Sequence, residues 1–354
     1  MAISNDILSS TLRILLDEEV DQLYQATPLL DKMRERGGIE TYDGGQKLDV
    51  PLILEEHSSI TQLDSGYEPV NLAVKDALRN ASFNWCDFVA PIVITRAEEL
   101  SNKGERAIID IAEARMKSVM GLLKREVEKQ ILANASTVLT NLNTFNGLTD
   151  VDGGNPTGGN ANSGFFDNVA FGSQTANSIG GLSKASFARL QNQFVDAANA
   201  LSIDDMTSLY LDCQLNTPDG SAPDLIIGSP EFYAAYKKLL FDKERFMDEK
   251  VLDGGELALM FHGAMVHADP FLGKTVQTAS KLGTNPQGNG VISAYFLNSK
   301  YIKLGFDSAA QFEMDDFEHI SGYAARSANV YTRLQVYFQH LGSQGLLTDA
   351  EATA

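Results

Sequence analysis

The chain has 354 residues, 44% of them hydrophobic and 21% charged, with 47 acidic against 28 basic side chains and a formal net charge of −19. That length has room for two or more lobes around a sizeable core, and the acidity excludes a protein that grips nucleic acid through a basic face. Two cysteines, Cys86 and Cys213, exclude a disulfide framework and a cysteine-rich zinc site. With neither a basic leader ahead of an apolar run nor a membrane-length apolar stretch, the expectation is a chain made and used in a cytoplasm, without a membrane.

Asn5 to Tyr24 reads as an amphipathic helix, with Leu8, Leu12, Leu15, Leu16, Val20 and Leu23 at helical steps and Asp17, Glu18, Glu19 and Asp21 on the polar side. Followed by Thr27-Pro28 and then Arg36-Gly37-Gly38, it is either part of the core or an arm that docks on a neighbour. From Ile39 to Thr95 the pattern changes to strands and turns. Lys47 to Glu55 is a strand interrupted by Pro51, and Ala81 to Thr95 alternates before turning apolar around Pro91. Proline in both runs confines them to edges or to an extended ribbon that must lie on something to be stable. The stretch between them is polar and of mixed charge, with Glu55, Glu56, His57, Lys75, Asp76 and Arg79.

Gly104 to Asn134 contains no proline and places Ile108, Ile111, Ala112, Met116, Val119, Met120, Leu123, Val127 and Ile131 on one stripe. A helix of roughly 45 Å follows, at about 1.5 Å per residue. Its polar side has Glu113 and Lys117, and Lys124 and Glu128, spaced to pair one turn apart. Such a rod needs a long partner surface.

Asn141 to Gly181 is rich in Asn, Gly, Ser and Thr, which means turns and loops, with Phe145, Phe165, Phe166 and Phe171 as anchors. Ser183 to Leu201 reads as a helix capped by Ser183, with Phe187, Leu190, Phe194, Ala197 and Leu201 on one face. Asp224 to Gly228 is a short buried strand, and Ser229-Pro230-Glu231 opens a helix through Leu240. Leu257 to Ala268, Val291 to Leu297 and Tyr301 to Phe306 are strand-like. In Asn329 to Leu341 the residues Val330, Thr332, Leu334, Val336 and Phe338 separate from Tyr331, Arg333, Gln335, Tyr337 and Gln339, as in a long half-buried strand that suits the long helix as a partner.

No motif carries chemistry. His262 and His267 are five apart, which matches neither helical step of a metal pair, and no HExxH occurs. Asp150 to Asn155 lacks the glycine and acidic closure of a calcium loop, and Gly180 to Lys184 lacks the order of a phosphate loop. Asp204-Asp205 and Asp315-Asp316 read as solvated pairs in so acidic a chain. The reading is therefore no catalytic residue, no metal and no cofactor.

The order of elements is more informative: an arm, a ribbon with a polar tip, a strand ending in VITRAEEL (Val93 to Leu100), the long helix, an α/β lobe and a late long strand running into QVYFQHLGSQGLL (Gln335 to Leu347). Over almost the whole chain this resembles the major capsid protein of tailed bacteriophages, the α+β fold named for its Hong Kong phage prototype. The resemblance implies an N-terminal arm over residues 1–38, an extended loop over 39–89 and a peripheral domain over 90–182 with its spine helix at 104–134. It further implies an axial domain over 183–291, and returning strands over 292–354 that complete both. It implies a non-enzymatic subunit of hexamers and pentamers that close an icosahedral virion shell around double-stranded DNA bound without sequence specificity, assembled in the host cytoplasm. Partners would be a portal and possible decoration proteins, and, because the arm is too short to contain a fused scaffolding domain, either such a domain has been removed or scaffolding is a separate protein. Glu55, Glu56, Lys75 and Arg79 are the expected intersubunit contacts in the loop. An encapsulin-like nanocompartment shares the fold and is the alternative.

Overall fold

The computed structural model describes residues 27–55, 60, 62, 64, 66, 77–101, 111–133, 136, 138–139, 141–145, 164–167, 170–174, 178–197, 200–242, 250–251, 257–272, 292–311, 313–320, 322–348 and 350. In chain order the first elements are helix α1 (Pro28–Glu35), strands β1 (Ile39–Tyr42), β2 (Lys47–Ile53), β3 (Leu78–Asn84) and β4 (Cys86–Thr95), and helices α2 (Arg96–Ser101) and α3 (Ile111–Ala133). The middle holds β5 (Ser178–Ile179), β6 (Leu182–Ser183), β7 (Gln193–Asp196), α4 (Ile203–Leu215), β8 (Leu225–Gly228) and α5 (Pro230–Asp242). Then come β9 (Lys250–Val251), β10 (Leu257–Phe261), β11 (Ala264–Ala268), β12 (Ile292–Leu297), β13 (Ile302–Asp307), β14 (Glu313–Met314), β15 (Glu318–His319), β16 (Ala325–Phe338) and β17 (Gly345–Thr348). The expected N-terminal helix at Asn5 to Tyr24 and the first turns of the long helix lie outside the described residues.

Two sheets organise the molecule. In the six-stranded sheet β16 is central, with β4 antiparallel along one side and β13, β14 and β15 along the other, and β1 joins in parallel beyond β13. Pro91 therefore sits on an edge strand, where its missing N–H costs no ladder bond. The seven-stranded sheet runs β7-β17-β12-β8-β11-β10-β9. Side chains alternate across a strand, and here the two faces enter different cores. Ile226, Val266, Phe296 and Leu347 meet Met206, Leu209 and Cys213 of α4 and Phe232 and Tyr236 of α5. Leu225, Ile227, Tyr295, Leu297 and Leu346 instead join the core shared with α3 and the six-stranded sheet. Burial on both faces is why β8 reads as an unbroken apolar run.

The core between the sheets is aromatic. Phe165 packs edge-on to Phe338 at 4.6 Å between ring centroids, Phe166 lies 5.0 Å from Tyr295, and Phe145 lies 5.2 Å from Phe338. Three of the four phenylalanines expected to anchor the Asn/Gly-rich segment are thus buried, while Phe171 is partly exposed. The same segment finishes α3: the Phe145 N–H donates to the Ile131 carbonyl at 2.6 Å, and the Tyr295 hydroxyl reaches the Leu132 carbonyl at 3.2 Å. Carbonyls that a helix end leaves over are satisfied by both the loop and the second sheet.

Four expectations are corrected. Ser183 to Leu201 is not a helix but a turn, a short 3-10 segment at Ala188–Leu190 and β7, which runs parallel to β17. Gln191, Asn192 and Gln193 are buried there and bond backbone groups of distant segments, so tertiary partners override the apolar period. The helix of this region is α4, capped by the Ser202 hydroxyl, and Asp204 and Asp205 form its first turn. Lys124 and Glu128 do not pair on a solvated face, because Glu128 is fully buried. Finally, the half-buried alternation of β16 holds only as far as Leu334, after which Gln335 and Tyr337 are buried as well. The long helix reaches the six-stranded sheet mainly through β4, the neighbour of β16.

Candidate assembly surfaces

β2 and β3 pair antiparallel from Lys47 opposite Asn84 to Ile53 opposite Leu78, and they form a two-stranded ribbon. Opposed residues share a face. Leu48, Val50, Leu52, Ala81 and Phe83 face down into the main core, whereas Lys47, Asp49, Pro51, Ile53, Leu78 and Asn80 face out. The base is held at two close approaches to glycine, tight at Gly305 and closed to any side chain at Gly180. A Cβ on Gly305 of β13 would stand 3.2 Å from the Tyr42 ring and 3.4 Å from Leu48, and one on Gly180 would stand 2.7 Å from the Ala81 side chain. Gly180 and Gly181 both have positive φ and make the tight turn between β5 and β6, from which the Gly180 carbonyl accepts the Ser82 N–H at 3.0 Å. The expectation that the ribbon lies on the body is met at its base.

Of the expected contact residues, Glu55 is exposed just beyond β2, and Glu56 and Lys75 lie outside the described residues. Arg79 pairs with Leu52 and shares its inward-facing side rather than the outer face. What polarity-based reading missed is the opposed pair Ile53 and Leu78, 67% and 61% exposed. Its signal is in the sequence: in KLDVPLI the alternation that buries Leu48, Val50 and Leu52 leaves Ile53 on the wrong face for a monomer.

A second feature joins the chain's first described helix to its longest. Glu128, on α3, accepts the Leu29 N–H at 3.0 Å on Oε1 and the Leu30 N–H at 3.3 Å on Oε2. The carboxyl thus replaces a side-chain cap at α1, since Thr27 makes none. Burial, reinforced by Asp269 nearby, pushes the Glu128 carboxyl well above its ordinary value. A third is Lys184, fully buried, whose ammonium donates to the Phe165 carbonyl at 2.5 Å and pairs with Asp167 at 3.1 Å. Burial lowers its pKa, and Asp167 opposes that shift. Asn192 brackets Asp167 by accepting its N–H at 2.8 Å and donating to its carbonyl at 3.0 Å. This network fixes the position of the aromatic segment.

None of these arrangements is laid out for catalysis. Burial raises the Cys86 thiol to about 11 and Cys213 well above the usual thiol range, so both stay protonated near neutral pH. His262 occupies a two-residue hairpin turn with Gly263, both at positive φ, and among the described residues no group of three or more His, Cys, Asp or Glu is placed to hold a metal ion. No described helix is long and apolar enough to cross a membrane.

No protein-family model matches the sequence, and no curated protein matches it. Solved structures do. The capsid of an empty GTA particle superposes with a TM-score of 0.60 at 11% identity, covering 97% of this chain and 96% of that one. The capsid of cyanophage A-1(L) gives 0.58 at 11% identity, covering 99% of each chain. The chain has the phage capsid fold. A holo-encapsulin, SrpI of Synechococcus elongatus, is also similar, with a TM-score of 0.53 at 10% identity over 99% of this chain and 96% of that one. The capsid fold is thus reached at about a tenth of residues in common, so packing pattern rather than particular side chains carries the likeness.

Proposed function

We propose that the chain is the major capsid protein of a tailed phage, a structural, non-enzymatic subunit that assembles into hexamers and pentamers and closes an icosahedral shell around double-stranded DNA. The observation that carries this reading is the match to capsid structures along nearly the full length of both chains. The exposed Ile53–Leu78 pair supports it, since an apolar pair left open on the outer face of a ribbon is explained by a neighbour that covers it. The division into arm (1–38), extended loop (39–89), peripheral domain (90–182, with its spine at 104–134), axial domain (183–291) and returning strands (292–354) belongs to the same proposal. Its support is that 292–354 contributes β12 and β17 to one sheet and β13 to β16 to the other. Glu55, Glu56, Lys75 and Arg79 are proposed as loop contacts between subunits, with a separate scaffolding protein, a portal and decoration proteins as further partners in a virion assembled in the host cytoplasm.

The test is particle size. The chain expressed alone and with a scaffolding protein should give capsomers or shells in light scattering and electron microscopy; a persistent monomer under both conditions would overturn the proposal. The similarity to a holo-encapsulin favours a second reading, a nanocompartment shell. Particle contents separate the two: packaged double-stranded DNA supports the phage shell, and enclosed protein cargo supports the compartment.

A further inference from the structure

The two helices that cover one face of the seven-stranded sheet carry opposite uncovered charge. α4 packs against β7, β17 and β12, and α5 against β12, β8 and β11. In the strand order they therefore stand in one layer, α4 nearer the β7 edge and α5 nearer the β9 edge. α4 carries Asp204, Asp205 and Asp212 and no basic residue. α5 presents Lys237 and Lys238, both exposed, with the small Ala234 exposed one turn before them, whereas its first-turn Glu231 is half-buried. Among the described residues, none of these three aspartates and two lysines takes part in an ion pair.

The fold of one subunit explains only part of the α4 pattern. Asp204 and Asp205 suit the positive end of the helix, but Asp212 lies in the last turn, where the helix dipole disfavours an acid and no basic residue compensates. Leu211 and Leu215 lie beside it, 47% and 80% exposed, and one turn apart they form an apolar strip. An acid set against its own helix and two open leucines are accounted for by a partner that covers them. Lysines fit that partner in two ways, because the ammonium answers the aspartate while the aliphatic stem lies along the leucines.

We propose that α4 of one subunit docks on α5 of the next copy of the chain, with Lys237 and Lys238 meeting Asp205 and Asp212, and with Leu211 and Leu215 laid over Ala234. The two surfaces differ and belong to opposite sides of one layer, which makes the contact head-to-tail, the kind that closes rings of identical subunits. The apolar strip supplies the covered area, and the charges select partner and register, since exposed ion pairs by themselves add little affinity. The inference rests on the shell-subunit reading and names one of its contacts. Nucleic acid is the weaker occupant of α5, because two lysines on a chain of net charge −19 fall far short of the several phosphate contacts that hold non-specific complexes together.

Three variants test it: Asp205→Lys with Asp212→Lys, Lys237→Glu with Lys238→Glu, and all four changes combined. The side chains stand on helix surfaces, so each variant should melt within a few degrees of wild type by circular dichroism. If the proposal is right, reversing either helix alone lowers the yield of sedimenting particles by about tenfold or more, since like charges are then brought face to face, and the combined reversal restores most of it. Wild-type particles together with undiminished assembly of both one-helix variants would overturn the contact while leaving the shell reading intact. Loss in those two without recovery in the combination would also overturn it, as would a melt far below wild type, which would give the charges a role inside the subunit. Normal assembly of the lysine variant with loss of DNA retention on a filter would reassign α5 to nucleic acid. A wild-type chain that forms no particle removes the shell reading and this contact with it.

Discussion

Glu128 interrupts the polar side of a helix that otherwise follows a simple amphipathic rule, and its burial has a pH signature. Its ordinary value is 4.5, and burial, with Asp269 adding repulsion, raises it in the folded chain. A carboxyl raised by folding contributes stability that is fully present below its unfolded pKa and is lost as pH rises through the folded value. Glu128→Gln, which keeps an acceptor for the α1 amides without the charge, should therefore gain in Tm relative to wild type progressively from pH 4.5 towards neutrality. Thermal melts of both proteins across pH 4 to 8 check this, and a constant difference across that range would show that Glu128 does not titrate as described. Lys184 presents the opposite case, a buried cation already paired. Lys184→Ala leaves Asp167 and the Phe165 carbonyl inside the protein without their ammonium, and the expected cost is about 3–5 kcal/mol in urea unfolding. Replacing both members by apolar residues, as in Lys184→Met with Asp167→Leu, should recover a large part of that loss.

At the scale of elements, the ribbon separates folding from assembly. Its inner face is fixed by Leu48, Val50, Leu52, Ala81 and Phe83 and by the close approach to Gly180 and Gly305, whereas the outer Ile53–Leu78 pair touches little in its own subunit. Ile53→Asp with Leu78→Asp should leave the subunit's unfolding free energy within about 0.5 kcal/mol of wild type, as surface changes usually do. It should nevertheless abolish shells in electron microscopy, because charge would enter a surface that a neighbour covers. A variant that unfolds would place the pair in the core, and one that assembles normally would remove it from the interface. The long helix plays the complementary part. Its buried Leu123, Val127 and Ile131 join both sheets to one core, and its C-terminal carbonyls are taken up by the Phe145 segment and Tyr295.

For the whole molecule, the order of elements in one chain was legible because it depends on local patterns: steps of three and four for α3, alternation for β2 and β16, proline marking β2 and β4 as edge strands, and Ser-Pro at the start of α5. The capsid resemblance followed from that order, and the structural similarity to capsids at about a tenth identity bears it out at the level of fold. Local pattern failed wherever a polar residue is satisfied by a partner far along the chain. Glu128 is 99 residues from Leu29, and Asn143 is 192 from Gln335. Gln193 to Asp196 make a strand out of an apparently helical run because β17, some 150 residues later, offers them a ladder. The sequence by itself determined the order of most elements, which faces of the strands and of the long helix are apolar, and that nothing resembles a catalytic motif. Only the tertiary structure decided which polar groups are buried and which face of the ribbon remains uncovered. The physical reason is that helix and strand periods are set by neighbouring residues, whereas burial, hydrogen-bond satisfaction and charge complementarity are set by whatever the fold brings alongside.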